Sequence, residues 1–79
     1  MIYGYCGDKI SSEGLFVMKE ITFSLSPEGL RAISTFLNTM ADKIENGQFS
    51  DSAHQHIENT VFNWNELCPD QDIIVMKLE

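Results

Sequence analysis

Two rhythms run along the chain: a two-residue alternation toward both ends and a 3.6-residue stripe in the middle. Ile2 to Cys6 (IYGYC) predicts a short strand with Tyr3 and Tyr5 on one face. Gly7 to Gly14 (GDKISSEG), with two glycines, two serines and three charges, has the composition of a turn. Leu15 to Leu25 (LFVMKEITFSL) predicts a long strand, which makes a hairpin with the first. Its C-terminal half alternates cleanly, with Ile21, Phe23 and Leu25 opposite Glu20, Thr22 and Ser24. Its N-terminal half, Leu15, Phe16, Val17 and Met18, is apolar on both faces. Either a bulge near Lys19 shifts the register, or both faces of this end are covered, and a second cover requires a partner.

The middle of the chain predicts a helix from Pro27 to Asn46. Ser26 is a good N-cap, and Pro27 stands at the first helical position, where its missing N–H costs nothing. Glu28 lies in the first turn, favourably placed for the helix dipole. Leu30, Ile33, Phe36, Leu37, Met40, Ala41 and Ile44 fall in one stripe, and Arg31, Thr35, Asn38, Asp42 and Glu45 fall opposite. The stripe predicts core, with Leu37 at its centre. Asn46-Gly47 is a left-handed stop signal.

Beyond Gln48 the periodicity weakens, yet a structureless stretch of this length does not suit a compact domain. His54-Gln55-His56-Ile57-Glu58 suits a strand, while Val61, Trp64 and Leu67 have helical spacing. A short strand followed by an irregular or single-turn segment is the preferred reading, and a helix from Ser52 to Trp64 is the alternative. Cys68-Pro69-Asp70 breaks the chain, and Asp72 to Leu78 (DIIVMKL) predicts a last strand with Ile74, Met76 and Leu78 on one face. Ile73 and Val75 make its first half apolar on both faces, as in a central strand. The expected fold is α+β, one domain over residues 1–79. Its three- to four-stranded, mainly antiparallel sheet carries one long amphipathic helix on one face.

Length and charge narrow the function. A chain of 79 residues buries only about 60% of its unfolded surface, which leaves little room for both a core and a deep active site. Twelve acids against five bases give a net −7, and six acids with one base from Gln48 onward place −5 of it in the last 32 residues. Such a field repels phosphate backbones and anionic lipids, so neither nucleic acid nor membrane is an expected partner. It favours a basic partner, and it also serves solubility. There is no signal-peptide pattern and no run of about 20 apolar residues, and Cys6 and Cys68 do not make a disulfide framework. A cytoplasmic protein with two free thiols is expected.

Candidate chemistry is sparse. His54 and His56 share a face if they lie on a strand, so both imidazoles could reach one ion, whereas a helix would point them about 200° apart. No CxxC or HxxxH spacing completes the ligand set, so neither a metal nor another cofactor is expected. No nucleophile signature surrounds either cysteine, no phosphate-cradling loop is present, and no acid pair marks acid–base work. No catalytic residue is assigned. A binding role remains, with Asp51, His54, His56, Glu58, Phe62, Trp64, Glu66 and Asp70 as the candidate partner-binding residues. In that set the acids steer encounter and Trp64 anchors the complex. Leu15, Phe16, Val17 and Met18 are the candidate interface of a homodimer.

Three stretches carry a family likeness: residues 19–45 (KEITFSLSPEGLRAISTFLNTMADKIE), the HxHIE of residues 54–58, and the Asp-x-Asp-Ile-Ile-Val-Met of residues 70–76. Together they resemble the small α+β immunity proteins of bacterial polymorphic-toxin systems, in particular the family numbered thirty-two. The resemblance implies a cytoplasmic protein that binds and neutralises a cognate toxin domain. It hands no residue a role, and the Tyr3–Tyr5 strand lies outside it. The rival reading from another class is a homo-oligomeric scaffold or accessory subunit that uses the apolar end Leu15–Met18, and a metal-dependent or thiol enzyme comes third.

Overall fold

The computed structural model describes residues 1–50 and 53–78. The order is β1 (Ile2–Ile10), β2 (Phe16–Phe23), α1 (Pro27–Glu45), β3 (His54–His56), a 3-10 turn (Ile57–Asn59), α2 (Trp64–Leu67) and β4 (Ile74–Met76). The α+β class and the long helix stand as expected. The single sheet does not: β1 pairs only with β2 and β3 only with β4, in two separate antiparallel ribbons among the described residues. The two ribbons meet at Gln71. Its side-chain amide accepts from the Ile2 N–H at 2.7 Å and donates to the Ile2 carbonyl at 2.7 Å. A side chain thus takes the backbone groups that a neighbouring strand would use, and the two ribbons meet through it rather than through a ladder.

The hairpin is longer than its sequence predicted, because β1 continues through Gly7, Asp8 and Lys9 to Ile10. The turn itself is Ser11 to Leu15, closed by Gly14 N–H to the Ser11 carbonyl (3.0 Å) with Gly14 at φ +84°. The bulge at Lys19 is present: Tyr5 pairs with Glu20 and Cys6 with Met18, so Lys19 has no opposite number. Its consequence is to move side chains between faces. Ile2 faces Phe23, Gly4 faces Ile21 and Cys6 faces Met18, so Met18, Ile21 and Phe23 share one face of the hairpin, with Phe16 two residues before Met18. Gly4 is required there: a Cβ on it would stand 2.2 Å from Met18 Cε and 2.8 Å from the Glu20 carbonyl oxygen.

Helix α1 starts and stops as its sequence dictates. Ser26 Oγ accepts from the Gly29 N–H at 3.1 Å. At the other end Gln48 N–H reaches the Lys43 carbonyl (2.8 Å) and Gly47 N–H the Ile44 carbonyl (3.2 Å), with Gly47 at φ +71°; this is a complete Schellman motif. The stripe is only partly core, however. Gly29, Ile33, Phe36 and Met40 are buried, whereas Leu30, Leu37 and Ala41, about 100° further round, are exposed. Phe36 (1% exposed), not Leu37 (45%), is the centre of the buried face.

What α1 packs on is the C-terminal half. Ile33, Phe36 and Met40 form one cluster with Phe49, Ile57, Trp64 and Cys68. Ile73 and Val75 line this cluster, while Ile74 and Met76 point away and stay half exposed and Leu78 is outside it. β4 is therefore not a central strand: among the described residues it pairs on one edge only, and its second apolar face is half exposed. From the hairpin side Ile2 and the following Leu25 pack against the core. The result is a flat molecule, 33 × 32 × 16 Å, with the hairpin outside the main packing.

Candidate partner-binding surface

Residues 53–72 build the surface on which most candidate residues fall. Ile57, Val61, Trp64 and Cys68 recur at intervals of four, three and four, and Ile57, Trp64 and Cys68 are buried with Val61 packed against them. That rhythm holds the segment down even though only two short turns of it are helical. Trp64 is 1% exposed, and its Nε1–H donates to the Gln71 carbonyl at 2.7 Å. It is a core residue with a satisfied polar handle, and it offers a partner nothing. Phe62 lies off the rhythm and is 99% exposed, so the exposed aromatic of this segment is Phe62.

Phe62 borders a groove of about 400 Å³ between α1 and the segment. Glu28, Arg31, Ala32 and Thr35 line it from the helix, and Thr60, Val61, Asn63 and Leu67 from the other side. Asn63 Nδ2–H donates to Glu28 Oε1 at 3.3 Å across this groove. Glu58, Glu66 and Asp70 are all exposed on the same stretch of chain. Asp70 takes a left-handed conformation (φ +60°), tolerable for aspartate, and its N–H donates to Asn65 Oδ1 at 3.2 Å. Asp51 lies outside the described residues.

The histidines stand where a strand puts them. His54 and His56 lie two apart on β3 with ring centroids 5.0 Å apart, edge to face. His56 Nδ1 meets Asp72 Oδ2 at 2.5 Å, and Asp72 Oδ1 accepts from the N–H groups of Glu58 (3.2 Å) and Ile73 (2.9 Å). Partial burial by itself would raise the Asp72 carboxyl. The His56 hydrogen bond and the two backbone N–H bonds outweigh that and hold it below its ordinary range. His56, Glu58 and Asp72 do bring one ligand atom each within 4.8 Å of one another. Their visible work is a clasp that fixes the end of β3 against the start of β4.

Sequence reasoning assigned no role to Gln71 and placed Asp72 only at the head of a strand. The signal at Gln71 is faint in sequence: a polar residue flanked by two aspartates just before an apolar strand. Its four bonds tie three segments, since Oε1 also accepts from Cys68 Sγ at 3.3 Å and its carbonyl holds Trp64. Neither thiol meets a histidine among the described residues: Cys68 is buried on Gln71, and exposed Cys6 points at Met18 Sδ (3.8 Å). The second candidate set, Leu15, Phe16, Val17 and Met18, is exposed throughout.

The family model of Immunity protein 32 matches residues 20–75. The chain belongs to the Immunity protein 32 family. The match begins within β2 and ends within β4, so it spans α1, the core cluster and the Phe62 groove and leaves β1 outside. No curated protein and no solved structure gives a match. Membership implies a protein partner, a toxin. Among the described residues no helix is long and apolar enough to cross a membrane.

Proposed function

We propose that this protein neutralises a toxin domain by binding it, without catalysis of its own, through the acidic surface around Phe62. Family membership supports the partner class, and the observation that carries the surface is Phe62 itself, 99% exposed beside an open groove. A ring left wholly in water gains nothing for the fold, and its burial against a partner would be favourable. Glu58, Glu66 and Asp70 are exposed on the same stretch of chain, with a charge complementary to a basic toxin domain, and such charges speed encounter more than they deepen affinity. His54 stands exposed at the far end of the same segment.

The test is co-expression with the product of the neighbouring gene, first assayed for toxicity alone, followed by kinetics on the purified pair. Phe62→Ala is expected to speed dissociation by about 30-fold, the equivalent of about 2 kcal/mol for a hot spot. Glu58→Lys with Glu66→Lys should slow association and flatten its salt dependence. A toxin that this protein neither binds nor neutralises would overturn the reading. A complex indifferent to Phe62 would move the contact elsewhere.

A further inference from the structure

We propose that the apolar face of the β1–β2 hairpin is the contact of a homodimer, packed face to face against the same face of a second copy. The proposal goes beyond the toxin-binding reading and uses a different surface. The Lys19 bulge collects Phe16, Met18, Ile21 and Phe23 on one side of the ribbon, with Ile10 paired to Phe16. All five are exposed, and none of them belongs to the core cluster or to the partly buried residues packed against it.

Three observations select a second copy as the occupant. The first is stability. A two-stranded ribbon is marginal in water without cover for its apolar face. This one meets the core through Ile2 and the following Leu25 and is tied to the body by the Gln71 amide, so it needs cover whenever the chain is folded. A second copy is present on those terms, and a toxin is not.

The second is charge. Residues 1–25 carry Lys9 and Lys19 against Asp8, Glu13 and Glu20, a net −1, whereas residues 48–79 carry −5. Two copies of a −7 chain repel each other less through the hairpin than through residues 48–79, and a basic partner is drawn to that other end.

The third is geometry. Lys19 and its bulge lie on β2, whose outer edge has no neighbouring strand among the described residues. An edge lysine and a bulge are devices that discourage edge-to-edge pairing, and they leave the apolar face as the available contact. With about half of each side chain exposed, these residues present on the order of 450 Å² per copy. A symmetric pair then buries about 900–1,000 Å², the low end for a specific interface, so a dissociation constant in the micromolar range is expected.

Sedimentation equilibrium from about 1 to 300 µM tests this. A monomer–dimer equilibrium is expected for the unaltered chain, with Ile21→Asp weakening it at least tenfold. Tyr5→Asp on the opposite face should leave it unchanged. Trp64 fluorescence reports whether each variant keeps its core. The proposal is overturned by a chain that stays monomeric across the range, or by a dimer as tight in a folded Ile21→Asp as in the original. It is equally overturned if Ile21→Asp abolishes toxin binding by a monomeric chain, since the face would then belong to the toxin.

Discussion

Gln71→Ala is the substitution that most directly tests how the two halves are joined. The side chain is half buried, and its amide satisfies both the N–H and the carbonyl of Ile2 across 69 residues of chain. Removing it leaves those two backbone groups to find water, at about 1 kcal/mol each, and removes a weak thiol contact at Cys68. The total is about 2 kcal/mol, against about 4–12 kcal/mol for a whole domain of this size. In urea, with a slope of about 1 kcal/mol/M, the midpoint should fall by about 1–2 M. Hydrogen exchange is the sharper assay, because the loss concentrates on hairpin docking. The Ile2 amide loses its acceptor outright and should exchange more than about 30-fold faster, whereas amides in the centre of α1 should speed up by no more than the global loss of about 2 kcal/mol, about 30-fold. Gln71→Glu should be at least as damaging as alanine. It keeps an acceptor for the Ile2 N–H but sets an anionic oxygen against the Ile2 carbonyl, where an N–H donor stood. If Gln71→Ala costs under about 0.5 kcal/mol with Ile2 protection intact, the amide is not the joint. A glutamate variant as stable as the original would refute the orientation of the amide.

The other predictions concern the core and the clasp. Phe36→Ala should cost about 3–5 kcal/mol and Leu37→Ala under about 1 kcal/mol in chemical melts, reversing the order that the stripe suggests. Because the Asp72 carboxyl is held below its ordinary value of 3.8, its stabilising effect is present above that value and is lost as pH falls through the lower folded value. Asp72→Asn should therefore flatten the decline of thermal stability between about pH 5 and pH 2, and an unchanged slope would show that the clasp does not contribute.

Sequence alone determined the elements that local chemistry controls. The Ser26-Pro27 start and the Asn46-Gly47 stop of α1 are written in residues that satisfy or end a helix by themselves, and both formed as expected. The Lys19 bulge was legible because two apolar faces had to be reconciled with one clean alternation in the same strand. Placing His54 and His56 on one face followed from strand geometry alone. Which apolar residues are buried was a different matter, because periodicity shows that a face exists but not how much of it a neighbour covers. The helix stripe is wider than the body beneath it, so Leu30 and Leu37 were left in water. Trp64 and Phe62 stand two positions apart in an irregular segment, and only the packing of Ile57 and Cys68 around Trp64 decided which ring turns inward. The division into two ribbons was beyond sequence for the same reason. The two are joined by one glutamine amide reaching a backbone 69 residues away, and no local preference encodes a partner at that separation.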